Sequence, residues 1–140
     1  MSKSPQKPTE AHTLVIKAAR IGDATALRKL IESDPSLLNA RDTDESTPLH
    51  CGSWKGNVEA VKVLLELGAD VNAQNKNNYW GNTPLHAAAH DNQRAVAELL
   101  IANGADIHAE FGLVRTPLRE TEAHNAKPVD ALLIKLGATK

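Results

Sequence analysis

Thr83-Pro84-Leu85-His86-Ala87-Ala88-Ala89 is the stretch that decides how this chain is read, because its opening words recur on either side. Upstream stands Thr47-Pro48-Leu49-His50, and downstream Thr116-Pro117-Leu118-Arg119. A second phrase trails each copy: Gly68-Ala69-Asp70-Val71-Asn72-Ala73, Gly104-Ala105-Asp106-Ile107-His108-Ala109, and a clipped Gly137-Ala138-Thr139. Thr83 to Thr116 is 33 residues and Thr47 to Thr83 is 36, the same period with three residues inserted. Two phrases recurring at one lag define a tandem array, in which each unit buries its apolar face on the next.

Within a unit the local signals are those of two helices. Thr47 and Thr83 are natural N-caps, and the prolines after them fit the first helical position, where a missing N–H costs nothing. Gly56 suits a left-handed turn between the helices, and Asn92 takes that place in the next unit. Apolar residues at helical spacing mark the second helices: Leu27, Leu30 and Ile31; Val61, Leu64 and Leu65; Val96, Leu99, Leu100 and Ile101; Leu132, Leu133, Ile134 and Leu136. Asp34-Pro35 stops the first of these, because proline cannot continue a helix.

Period and wording together resemble the ankyrin repeat, over roughly Thr9 to Lys140. The resemblance implies an all-α solenoid of stacked helix-turn-helix units with hairpin-like loops projecting to one side. It divides the chain into a flexible tail over 1–8, an N-terminal cap repeat over 9–41, repeats over 42–74 and 75–110, and a C-terminal cap repeat over 111–140. His12, Lys17, Arg20 and Arg28 give the first unit a polar outer flank, and Thr121 and Glu122 replace paired alanines in the last, as suits a face with no further neighbour. The three extra residues, about Asn75-Lys76-Asn77, lengthen the loop opening the third repeat. The turn glycine of the family is Gly81 there but Glu45 and Val114 in the other loops, which leaves the geometry of those two loops open.

Composition narrows the function classes. Sixteen basic and seventeen acidic residues are interspersed, for a formal net charge of −1, which is no footprint for a nucleic acid or an anionic membrane. A single cysteine excludes an intramolecular disulfide framework, and the first eight residues lack the apolar run of a signal peptide. The expectation is a cytoplasmic protein, monomeric when free, with the nucleus open if the source is eukaryotic.

No phosphate-binding glycine loop, Cys-x-x-Cys pair or nucleophile elbow is present, so an enzyme is not expected and no cofactor is implied. His50 precedes Cys51, but adjacent helical residues point apart and make no catalytic pair. His86 and His90 lie four apart on one helix, at metal-ligand spacing, with His124 and His108 as further donors. That supports a rival metal-binding or histidine-based reading, although by resemblance the ring of His86 hydrogen-bonds the preceding threonine.

Both tryptophans and the single tyrosine fall where the family touches its partners. Trp54 lies at the end of the first helix of repeat two, and Tyr79 and Trp80 lie in the lengthened loop. Family alignment places Lys55, Asn82, His90, Asp91, Asp44 and Arg115 around them, with Arg20, Ser46 and Leu113 on the same side. The implied function is a non-catalytic protein–protein interaction module, an inhibitor, scaffold or adaptor, gripping a protein partner through its concave face and loop tips. A third reading is a stability partner or a fragment of a larger scaffold, against which the two capping units argue.

Overall fold

Thr47 and Thr83 each begin a helix by exchanging hydrogen bonds with a histidine three residues on. The Oγ1 of Thr47 accepts from the backbone N–H of His50, and the Nδ1 of His50 accepts from the backbone N–H of Thr47 at 3.1 Å and from its hydroxyl at 2.8 Å. Thr83 and His86 repeat the arrangement, again with the ring at 2.8 Å from the hydroxyl. Two otherwise orphaned N–H groups are thereby satisfied at each start. Thr116 achieves only half of it: its hydroxyl accepts from Arg119 N, and Arg119 has no ring nitrogen to return the bond.

A computed structural model describes residues 10–76, 82–110, 116–123 and 127–138. In chain order the helices are α1 (Glu10–Ile21), α2 (Ala24–Ser33), α3 (Pro48–Lys55), α4 (Val58–Glu66), α5 (Pro84–His90), α6 (Arg94–Ala102), α7 (Pro117–Ala123) and α8 (Lys127–Lys135). A 3-10 turn over Pro35–Asn39 follows α2. No strand occurs among the described residues.

The helices form two layers. The first helices α1, α3, α5 and α7 stack side by side, the second helices α2, α4, α6 and α8 stack behind them, and each first helix also packs on its own second helix. The front layer is the tighter, because its inward positions are small: Ala87, Ala88 and Ala89 are fully buried, and a Cβ on Gly52 would stand 3.8 Å from the Ala19 carbonyl oxygen of α1. Leu27, Leu49, Leu64, Leu85, Leu100 and Leu133 fill the space between the layers with under 2 % exposure. Each such leucine stabilises the stack by about 1.5–3 kcal/mol relative to an exposed one. The all-α solenoid expected from the sequence is the fold observed.

The sharp turns inside the helix pairs couple neighbours. Gly22 and Gly56 adopt φ of 79° and 72°, and Asn92 takes 56°. Over Gly22 lies the side chain of Asn57, whose Nδ2 donates to the carbonyls of Ala19 and Arg20, both at 2.9 Å. Over Gly56 lies Gln93, whose Nε2 donates to the carbonyl of Trp54 at 3.3 Å. An amide from the following unit therefore caps the C-terminal ends of α1 and α3, and a Cβ at Gly22 or Gly56 would crowd it.

The ends of the stack depart from the sequence reading. Arg28 keeps its side chain 42 % exposed, as expected, but also donates to Glu66 Oε2 at 2.7 Å, bridging α2 to α4. Leu14 (45 %) and Ile21 (65 %) stand exposed among the expected polar residues of that end. In α8, Leu132 and Leu133 pack inward, but Ile134 (56 %) and, just past the helix, Leu136 (45 %) do not, since no further unit lies against them among the described residues. Thr121 is buried rather than solvent-facing: its hydroxyl donates to Leu118 O at 2.6 Å and contacts Asp130 Oδ1 at 3.2 Å, tying α7 to α8. Glu122 is exposed as expected, whereas Glu120 is buried at the place held by Cys51 and Ala87 in earlier units. No helix among the described residues is long and apolar enough to cross a membrane.

Candidate functional site

The ends of α3 and α5 carry the side chains singled out from the sequence. Trp54 is half-buried in the last turn of α3, and the exposed Lys55 lays its Nζ over the indole, 4.2 Å from the ring centroid. That distance lies within the range of a cation–π contact. In the equivalent position of α5 is His90, whose Nδ1 lies 3.0 Å from Asp91 Oδ1; its side chain is 22 % exposed and that of Asp91 40 %. Because α3 and α5 pack side by side, the two pairs occupy successive rungs of one face.

The loops differ from the expectation. In the first, Asp42 N donates to Ser46 O across four residues, and Asp42 Oδ1 receives the N–H groups of Asp44 and Ser46, both at 2.9 Å. Glu45 holds φ of 59° within it, so the loop closes without the family's glycine. In the next loop the equivalent bond, Asn75 N to Asn82 O, spans seven residues. The three extra residues therefore fall between Asn75 and Asn82 and do not begin at Asn75, which is buried with its Nδ2 on Ser46 Oγ at 2.9 Å. Lys76 N donates to Asp44 O, joining the two loops.

Two assigned residues change character as a result. Ser46 is fully buried and bonded to Asn75, so it presents nothing to a partner. Asn82 is half-buried, and its side chain closes the loop by donating to Asn75 O at 2.8 Å. Asp44 is exposed, as expected. Tyr79, Trp80, Arg115, Leu113, Gly81, Val114 and His124 lie outside the described residues.

The histidines have structural work. His50 donates from Nε2 to Asn82 O at 2.9 Å while its Nδ1 accepts from Thr47, so the proton resides on Nε2. Burial holds its pKa down at about 4. The Cys51 thiol is pushed up to about 11, chiefly by burial and next by the charge of Asp42. Such a thiol is no nucleophile at neutral pH. His86 is fully buried in the Thr83 cap, and no three His, Cys, Asp or Glu side chains converge among the described residues.

The sequence reading missed one feature. An open groove of about 410 Å³ runs between α1 and the first loop, lined by Ile16, Lys17, Arg20, Arg41, Asp42 and neighbours. Arg41 gave no signal on its own, since its role depends on the loop carbonyls that it receives through folding.

Comparison with known proteins fits this architecture. A family model of ankyrin repeats in three copies matches residues 2–75, and one of ankyrin repeats in many copies matches residues 55–101. The chain belongs to the ankyrin-repeat family. Ankyrin repeats are in general protein–protein interaction modules without catalytic activity. The chain is 48 % identical over 81 residues to the serine/threonine-protein kinase VIK of Arabidopsis thaliana, covering 57 % of this chain and 18 % of the kinase. It is 36 % identical over 73 residues to ankyrin repeat domain-containing protein 49 of Homo sapiens, covering 52 % and 28 %. It is 42 % identical over 62 residues to the probable E3 ubiquitin-protein ligase XBOS33 of Oryza sativa subsp. japonica, covering 44 % and 12 %. The chain thus spans less than a third of each of these relatives, and the likeness is one of repeats.

Proposed function

We propose that this ankyrin array is a non-catalytic binding module that grips one protein partner on its front face and loop tips. The observation that carries the reading is the Trp54–Lys55 stack on α3 beside the His90–Asp91 pair on α5. An aromatic body with a polar rim is what an interface core requires, and truncating such an anchor costs about 2 kcal/mol or more of binding. Tyr79, Trp80 and Arg115 join this surface on the strength of the sequence, with Asp44 at the first loop tip. Asn82 contributes by holding its loop closed. The role is stoichiometric, as inhibitor, scaffold or adaptor: a rigid surface loses little entropy on docking.

The test is comparative capture. Wild-type protein and a Trp54→Ala/Trp80→Ala variant, shown folded by circular dichroism, are immobilised in lysate of the source organism and the retained proteins identified by mass spectrometry. A protein held by the wild type and lost from the variant supports the reading. Identical retention from both sinks it.

A further inference from the structure

The groove between α1 and the first loop is not neutral ground. Ile16, 7 % exposed, forms apolar floor, and the rim carries Lys17, Arg20 and Arg41. The single acidic side chain of the lining, Asp42, is turned inward: it is 13 % exposed, its Oδ1 receives two backbone N–H groups, and its Oδ2 receives Arg20 at 3.3 Å. Lys17 is exposed and has no ion pair among the described residues. The accessible charge here is positive on a chain whose formal net charge is −1.

Both guanidinium groups are also fixed in place. Arg20 is anchored by Asp42, and Arg41 donates from Nη1 to the carbonyls of Glu45 and Gln74, each at 2.7 Å. That leaves the Nε and Nη2 donors of Arg41 for another acceptor, because a guanidinium carries five N–H groups. An arginine ordered before binding loses little entropy when it pairs with a planar carboxylate.

We propose that this groove receives an extended acidic segment of the protein partner, with carboxylates on Arg20 and Arg41 and Lys17 closing the rim. The proposal rests on the binding-module reading and extends its surface to the first unit. A carboxylate-bearing peptide fits the charge and the apolar floor together, whereas a nucleic acid requires a basic track along successive phosphates. Residues 1–9 include Lys3 and Lys7 and no acidic side chain, so that segment is not the occupant.

The probe is a short fluorescein-labelled peptide alternating glutamate and leucine, set against its glutamine counterpart and followed by fluorescence polarisation and amide chemical shifts. The glutamate peptide is expected to bind about tenfold or more tighter, to weaken with salt, and to shift the amides of Ile16, Lys17 and Thr43. Lys17→Glu, a change at an exposed site, is expected to weaken it about tenfold. Equal binding of the two peptides, or an affinity unmoved by Lys17→Glu, overturns the assignment. Partner capture lost from Trp54→Ala but untouched by Lys17→Glu overturns the groove while leaving the binding module standing. Capture untouched by either substitution overturns both.

Discussion

The Nε2 of His50 donates to the backbone carbonyl of Asn82 at 2.9 Å, so a side chain from the start of α3 holds the loop that opens the next unit. Its other nitrogen is occupied by Thr47, and the ring is fully buried. One imidazole thus serves as helix cap, inter-unit tie and core residue, and it does so only when neutral.

That requirement makes stability pH-dependent. The folded pKa of His50 is lowered from 6.5 to about 4, so below pH 6.5 the unfolded chain takes up a proton that the folded one refuses. The contribution is complete above pH 6.5 and is lost as pH falls toward 4, with a slope of up to about 1.4 kcal/mol per unit. Urea denaturation of the wild type and His50→Gln at pH 7, 6 and 5 checks this. The variant is less stable at pH 7 and its curve is flatter; parallel curves would remove His50 from the account.

Gly56 and Gly104 separate two roles of glycine. Both have positive φ, 72° and 94°, but a Cβ on Gly104 meets nothing within 4 Å, whereas one on Gly56 falls on the Gln93 amide. Gly104→Ala carries backbone strain alone, about 1 kcal/mol. Gly56→Ala adds the loss of the hydrogen bond from Gln93 to Trp54 O, about 1 kcal/mol more. Equal destabilisation of the two in chemical denaturation would mean that the amide cap contributes nothing.

Glu45 offers a gain. It occupies a left-handed conformation, with φ of 59°, that glycine adopts without a Cβ clash. Its ion pair with Lys76, 3.3 Å long, is exposed on both sides and worth little. Glu45→Gly is expected to raise stability by about 0.5–1 kcal/mol, net of the chain entropy that glycine adds to the unfolded state. A lower melting temperature for the variant contradicts the strain argument.

How far the sequence carried depended on what kind of signal each residue left. Thr47-Pro48-Leu49-His50 and its copies encode a cap, a start and a period, so the helix order and the stacked fold were readable from them. The helical stripe found Leu133, but it could not separate it from Ile134, because periodicity assigns a face only where a neighbour exists to cover it; Leu133 is fully buried and Ile134 is 56 % exposed. Trp54 stood out by rarity. Arg41, Gln93 and Asn57 did not, since each acts on a backbone carbonyl some 33 to 39 residues away and nothing in the local sequence encodes that partner.

Asn82 was assigned to the partner surface, yet its amide donates to Asn75 O at 2.8 Å, while its own carbonyl receives both Asn75 N and His50 Nε2. Removing the amide leaves the backbone bonds in place and deprives the Asn75 carbonyl of its side-chain donor. Asn82→Ala is therefore expected to lower stability by about 0.5–1.5 kcal/mol. Asp44→Ala, at an exposed loop tip, is expected to change it by no more than about 0.5 kcal/mol. Thermal unfolding of both variants beside the wild type decides the matter. If Asn82→Ala is as silent as Asp44→Ala, the amide is not needed to close the loop and is available to a partner, which returns Asn82 to the binding surface as a direct contact.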